Sequence, residues 1–196
     1  MNKKIIIVAG TIAAGKTTFA LRLSKELNVP IFSKDLFKTA VSRSLPVSDR
    51  AVSKRLSAAT FDAIEFVTER FMETGNPLII EANFVMSENH GGIREGDALK
   101  NLIARYGYGS LTFLFMGDAH VLHERFIERD KSPERGQANQ AWEPMPYETF
   151  ESVVSPLGDF DIGGEMIKVD TTNFETVDFE RYLGIARGFL AGEVKP

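Results

Sequence analysis

Residues 5–18 read IIIVAGTIAAGKTT, and this stretch decides the fold. Its first part, Ile5–Ala9, is a continuous apolar run rich in β-branched side chains, which is typical of a strand buried on both faces. Its second part, Gly10–Thr17, matches the pattern G-x-x-x-x-G-K-[ST] at every fixed position. A buried strand followed directly by this pattern predicts a loop that binds a chain of phosphates.

The residue types of this loop follow from the physics of phosphate binding. Glycines let the backbone curl so that successive N–H groups point inward, and the following helix directs its positive end to the same place. Lys16 can reach the β- and γ-phosphates, and the hydroxyl of Thr17 can ligate Mg²⁺. The residues expected to bind nucleotide here are Gly10, Ala13, Ala14, Gly15, Lys16, Thr17 and Thr18.

The composition is that of one globular domain, which we expect to span residues 1–196. The absence of cysteine excludes a disulfide scaffold, Cys-ligated metal sites and thiol catalysis. A net charge of −4 argues against a broadly basic surface that coats nucleic acid, and no apolar run is long enough to span a membrane. Met1–Ala14 superficially resembles a signal peptide, but cleavage there would destroy the phosphate-binding motif, so we expect a cytoplasmic protein.

Apolar patterns along the rest of the chain predict strands that alternate with helices. We predict further strands at 29–33, 78–81, 111–116 and 166–169, and helices at 15–27, 48–73, 93–106, around 121–127 and at 174–190. Residues 130–146 contain three prolines and few apolar side chains, which predicts a mobile lid. The alternation predicts an α/β domain with a parallel sheet and helices on both faces.

Motifs that are missing narrow the class of phosphate-binding protein. The chain has no N-K-x-D guanine motif and no ABC-type signature. Asp161–Gly164 fits the D-x-x-G pattern of GTPases, but we interpret this position, far downstream of where a switch would lie, as a turn. The sequence resembles the small P-loop kinases, the group of polynucleotide 5′-kinases, zeta toxins, chloramphenicol phosphotransferase and gluconate kinase. The resemblance covers most of the chain and implies the P-loop NTPase fold with strand order 2-3-1-4-5. It also implies ATP and Mg²⁺ as cofactors, and transfer of the γ-phosphoryl group to a hydroxyl of a small molecule.

The second predicted strand runs into a polar stretch, residues 33–38, SKDLFK. The resemblance implies that Asp35 accepts the proton of the attacking hydroxyl and that Lys38 holds the acceptor. Physical reasoning agrees, because a carboxylate at the end of a strand beside the phosphate-binding strand lies at the ligand crevice of an open α/β sheet. Phosphoryl transfer needs a group there that orients the hydroxyl. The alternative is that Asp35 only caps a helix.

The resemblance also implies roles for four residues farther along the chain. Glu81, at the end of the third strand, would help to hold Mg²⁺ with Thr17; the alternative is that it only caps a buried strand. Arg129 would contact the transferring phosphoryl group, with Arg125 as the second nucleotide-binding arginine; interleaved acidic residues leave a solvated, ion-paired helix as the alternative. Thr171 lies in a turn that resembles the adenine-lining segment. Lys16, Asp35 and Arg129 are thereby the expected catalytic residues.

The acceptor is not named by any motif. Between residues 33 and 56 the chain carries Lys34, Lys38, Arg43, Arg50, Lys54 and Arg55 against Asp35 and Asp49, a local balance of +4. This balance favours an anionic acceptor such as a nucleotide or a sugar acid, although an exposed helix with solvated charges would give the same count. A polynucleotide 5′-hydroxyl kinase and a non-catalytic nucleotide-binding regulatory module remain the alternative functions.

Overall fold

A computed structural model describes residues 2–84, 92–132, 145–155 and 160–193 of the chain. Its centre is a five-stranded sheet in the order β2-β3-β1-β4-β5, in which every neighbouring pair is parallel. The strands are β1 Lys4–Gly10, β2 Ile31–Ser33, β3 Leu78–Glu81, β4 Gly109–Met116 and β5 Glu165–Asp170. The predicted fold class and strand order are therefore confirmed.

Seven helices are described around this sheet. They are α1 Lys16–Leu27, α2 Lys34–Ser42, α3 Arg50–Met72, α4 Gly92–Tyr106, α5 Ala119–Asp130, α6 Tyr147–Val154 and α7 Phe179–Ala191. Five of them were predicted, but the predicted helix at 174–190 is in fact a short 3₁₀ turn, Phe174–Thr176, followed by α7. Most of the predicted lid, residues 133–144, lies outside the described residues.

Two helices were not predicted from the sequence, α2 and α6. The second strand passes into α2 without a loop, because Ser33 both ends β2 and caps α2 by accepting a hydrogen bond from the Leu36 amide. Leu36 and Phe37 of α2 are exposed to solvent. The apolar residues of this helix therefore do not form the buried face by which a helix is usually recognised in a sequence. Helix α6 is only eight residues long and directly follows the proline-rich segment that predicted a lid.

The side chains of β1 explain why the sheet is buried on both faces. Ile6 and Val8 pack in the core beneath α1, α5, α6 and α7, whereas Ile5, Ile7 and Ala9 pack in a second core beneath α3 and α4. Successive residues of a strand point to opposite faces, so a strand covered on both faces must be apolar throughout. Among the residues described, no helix has both the length and the apolar character that a membrane crossing requires.

The parallel register brings the carboxyl ends of three strands to one edge of the sheet. Glu81 of β3 lies level with Val8 of β1 and with Ser33 of β2. On the other side of β1, Gly10 pairs with Phe115 of β4, and a Cβ atom added at Gly10 would lie only 2.0 Å from the carbonyl oxygen of Phe115. Only glycine fits this approach, which fixes where the chain leaves β1 and enters the phosphate-binding loop.

Candidate active site

The loop between β1 and α1, residues 10–17, is shaped to receive an anion; we call it the P-loop. Ala13 and Gly15 both have left-handed backbone conformations, with φ of 63° and 85°. Gly15 is the residue that precedes α1, and among the described residues no side chain caps the helix at that point. The first amides of α1 are thus available to a ligand, and the helix dipole favours a negative one.

Lys16 is buried at the start of α1. Its Nζ donates a hydrogen bond to the carbonyl oxygen of Thr11, 2.6 Å away, so the side chain folds back over the P-loop. Burial lowers the pKa of Lys16 to about 8, although the carboxylates of Glu81 and Asp35 act in the opposite direction. A desolvated cation beside the P-loop amides is suited to bind phosphate.

Glu81 joins three elements of the site. It is buried at the end of β3, where its Oε1 accepts a hydrogen bond from the Thr17 hydroxyl at 3.2 Å and its Oε2 accepts one from the Ser33 hydroxyl. Burial raises the pKa of Glu81, while Lys16 and these two hydroxyls oppose the rise. The two predicted Mg²⁺-binding residues, Thr17 and Glu81, are therefore in direct contact, as a pair of oxygen donors for a hard cation should be.

This donor set suits a cation that retains water and phosphate ligands. The described part of the chain contains no group of three His, Asp or Glu side chains that could hold a metal ion by themselves. Mg²⁺ is commonly bound by one or two protein oxygens together with substrate phosphates and water, so Thr17 and Glu81 fit that mode.

Asp35 lies in the first turn of α2, half-buried, and its charge acts on both Lys16 and Glu81. The alternative in which Asp35 caps α2 is wrong, because Ser33 is the capping residue. Lys38, expected to hold the acceptor, is buried and donates a hydrogen bond to the Ser53 hydroxyl of α3 at 2.9 Å. Its role as an acceptor-binding residue stays a prediction.

Arg125 and Arg129, one turn apart on α5, have different surroundings. Arg125 donates hydrogen bonds to the carbonyl oxygens of Thr171 and Thr172, at 2.6 and 2.9 Å, and so holds the segment after β5. Arg129 is exposed, and its positive charge helps to lower the pKa of Lys16. The alternative of a merely solvated, ion-paired helix does not describe Arg125, whereas the phosphate contact expected of Arg129 stays a prediction.

The segment that Arg125 holds lies against the P-loop. The Arg125 guanidinium is 5.8 Å from the centre of the Phe174 ring, and a Cβ atom added at Gly15 would lie 2.4 Å from that ring. Thr171 is buried, and its hydroxyl donates to the carbonyl oxygen of Met116 at the end of β4. Phe174 was not singled out from the sequence; the signal that could have found it is an aromatic residue just after Thr171.

A partly buried ion pair beside Asp35 was also missed by sequence reasoning. Lys34 of α2 binds Glu95 of α4, and the Lys34 ammonium lies 5.9 Å from the centre of the Phe61 ring of α3. Burial raises the pKa of Glu95, against the influence of Lys34. No signal in the sequence could have found this pair, because its partners are 61 residues apart and meet only when α2 packs near α4.

The lowered pKa of Lys16 predicts a pH dependence of nucleotide binding. Bound phosphates favour the charged ammonium and raise its pKa above the value of about 8 in the free protein. Affinity should therefore be constant below about pH 8 and fall above it, by up to about tenfold per pH unit, with proton uptake on binding.

Calorimetric titration with a non-hydrolysable ATP analogue, in buffers of different ionisation enthalpy, measures this uptake directly. We expect uptake at about pH 9 and little at about pH 7, and a Lys16→Met control without uptake in that window. Equal affinity at both pH values would contradict the assignment of Lys16 to the phosphates.

Comparison with known proteins agrees with this geometry. The family described as AAA domain matches residues 5–143, which include the P-loop, Asp35, Glu81 and α5. A crystal structure from Chloroflexus aurantiacus, provisionally described as a kinase, is 27% identical with a TM-score of 0.83. It covers 96% of this chain and 99% of its own. None of the curated proteins compared matches this chain.

More distant structures share the fold. A gluconokinase from Sinorhizobium meliloti is 18% identical with a TM-score of 0.54, covering 97% of this chain and 93% of its own. A shikimate kinase from Bacteroides thetaiotaomicron is 14% identical with a TM-score of 0.56, covering 96% of this chain and 98% of its own. The expected resemblance to small P-loop kinases is thereby confirmed at the level of family and fold.

Proposed function

This chain belongs to the AAA domain family, and from that premise we propose that it is an ATP- and Mg²⁺-dependent kinase acting on a hydroxyl of a small molecule. The observation that carries the proposal is the convergence of a phosphate-binding apparatus and a separate carboxylate at one edge of the sheet. Lys16, Thr17 and Glu81 form the first, and Asp35 is the second. A module that only bound nucleotide would have no need of Asp35.

The P-loop residues bind and orient the triphosphate. The loop amides and Lys16 would hold the β- and γ-phosphates, while Thr17 and Glu81, in contact with each other, would supply oxygen ligands for the metal ion. Mg²⁺, when bound, neutralises charge on the phosphate oxygens. Arg129, exposed on α5 with its charge felt at Lys16, stabilises the negative charge that spreads over the transferring group.

Asp35 acts on the acceptor. The hydroxyl donates a hydrogen bond to the Asp35 carboxylate, and its oxygen attacks the γ-phosphorus of ATP. A new P–O bond forms to the acceptor, the bond from the γ-phosphorus to the bridging oxygen breaks, and ADP leaves. The hydroxyl proton passes to Asp35. Asp35 has the charge and the place for this role, at the carboxyl edge of the sheet next to Lys16 and Glu81.

The test is transfer of labelled γ-phosphoryl from ATP to a small-molecule extract, with products identified by mass. A new phosphorylated compound whose formation needs Asp35 would support the kinase. Nucleotide binding with only slow, acceptor-independent hydrolysis would overturn it and favour the regulatory module. Salt-sensitive phosphorylation of an oligonucleotide with a free 5′-hydroxyl would instead favour the polynucleotide kinase.

A further inference from the structure

The structure sorts the six basic residues between positions 33 and 56 into two groups. Lys34 is neutralised by Glu95, and Lys38 is buried against Ser53. The other four basic residues are exposed, and none of them has an ion-pair partner within 4.0 Å in the described part of the chain; they are Arg43, Arg50, Lys54 and Arg55. The local positive charge is therefore carried by these four exposed residues, which we call the outer group.

Two members of the outer group lie on the face of α3 that also carries Phe61, close to the residues proposed to act on the acceptor. Arg50, Lys54 and Phe61 are four and seven residues apart along α3, a spacing that puts them in one row on the helix surface. Phe61 contacts the ammonium of Lys34, the residue next to Asp35. The row therefore leads outward from the neighbourhood of Asp35 to the beginning of α3.

The electrostatics differ between the two ends of this row. Near the reacting hydroxyl, Asp35 and Glu81 face the Lys16 cation, and the Lys34 cation is balanced by Glu95. An anionic group would gain little there. Seven residues of helix separate Phe61 from Lys54, about 10 Å along the axis, and Arg50 lies about 6 Å farther. At this outer end Arg50 and Lys54 have no ion-pair partner within 4.0 Å among the described residues, and Asp49 is the acidic residue nearest to them along the chain.

We propose that Arg50 and Lys54 bind an anionic group, a carboxylate or a phosphate, at the end of the acceptor remote from the phosphorylated hydroxyl. The inference rests on the proposed kinase function and names the acceptor class, a small, elongated, anionic hydroxy compound. Arginine supplies a planar fork that matches either group, and lysine supplies a point charge. Lys38 stays the residue predicted to hold the acceptor near Asp35, whereas Arg50 and Lys54 would act at the remote end.

The number of charges favours a small acceptor over a nucleic acid. Duplex binding proteins typically make about six to ten phosphate contacts, whereas this surface has four basic residues, with Asp49 close enough to act on Arg55. Asp62, the residue after Phe61 on α3, and Arg94 of α4 neutralise each other in an ion pair. The positive surface is thus long enough for one or two anionic groups.

The test divides a small-molecule extract by anion-exchange chromatography and offers each fraction to the enzyme with labelled ATP. We expect transfer to a compound in the retained fraction. The double variant Arg50→Glu/Lys54→Glu should raise its KM by about tenfold or more, with kcat changed by less than about twofold and ATP affinity unchanged. The matched control is Lys25→Glu/Lys100→Glu, with the same charge change at two exposed helix lysines, and its KM should stay at the wild-type value.

Each of the following outcomes would overturn one of the proposals. Transfer only to an unretained, neutral compound, or an unchanged KM in the double variant, would overturn the anionic-acceptor inference and leave the kinase proposal standing. Preferred transfer to an added oligonucleotide would overturn the small-acceptor class. ATP binding without transfer to any fraction would overturn the kinase proposal itself, and the inference with it.

Discussion

Replacing Asp35 by asparagine is expected to slow phosphoryl transfer to the acceptor by roughly 10²–10⁴-fold, the usual contribution of a positioned proton acceptor. Asparagine keeps the shape of the side chain but cannot accept the hydroxyl proton. ATP affinity should change little, because the P-loop and Lys16 provide the phosphate contacts. Single-turnover transfer and calorimetric ATP binding, measured on the same preparation, separate the two effects.

Asp62→Asn is the matched control for this variant. It also removes one carboxylate, but from an exposed ion pair with Arg94 in the middle of α3. Because Ser33 and not Asp35 caps α2, the thermal midpoint of Asp35→Asn should stay close to that of the wild type. A folded variant that bound ATP and transferred phosphoryl groups at the wild-type rate would remove Asp35 from the mechanism.

Lys16→Met is expected to reduce phosphoryl transfer by roughly 10³-fold or more, because it removes the cation that meets the β- and γ-phosphates. Nucleotide affinity should fall as well, unlike in the Asp35 variant. Measurement of kcat and of the ATP dissociation constant in both variants would show this contrast. Wild-type turnover in Lys16→Met would refute the assignment of residues 10–17 as the P-loop.

The same substitution should stabilise the protein without ligand. The pKa of Lys16 lies well below its unfolded value, so the charged form opposes folding below about pH 8, and this penalty fades as the pH rises toward 10.5. A methionine removes the penalty and keeps most of the volume. We therefore expect a higher thermal midpoint at neutral pH, and a difference from the wild type that shrinks in alkaline buffer.

The parts of the molecule that the sequence predicted are those with a local signature. The P-loop is one, since β1 must be apolar on both faces and the phosphates dictate the residues that follow. Asp35 and Glu81 are others, because each lies at the end of a recognisable strand and parallel strands end at one edge. Strand order came from family resemblance, since no local pattern encodes which strands become neighbours.

The parts that could not be predicted depend on packing between distant segments. Helix α2 has solvent-facing apolar residues and no loop before it. The sequence therefore contains no pattern that marks where α2 begins or which of its faces is buried. The partnership of Lys34 with Glu95 is set by the approach of two helices. The resemblance implied that Arg125 binds the nucleotide, which stays a prediction, and its bonds to Thr171 and Thr172 depend on how β5 ends.

The central place of β1 in the sheet has a consequence for how the chain folds as it is synthesised. Strand β1 is made first, but its neighbours are β3, where Ile5 pairs with Leu78, and β4, where Lys4 pairs with Gly109. These are contacts of high sequence separation, which slow folding. The apolar run of β1 therefore lacks one neighbour until β3 is synthesised and the other until β4 is, and during that interval it is an exposed segment that chaperones can shield.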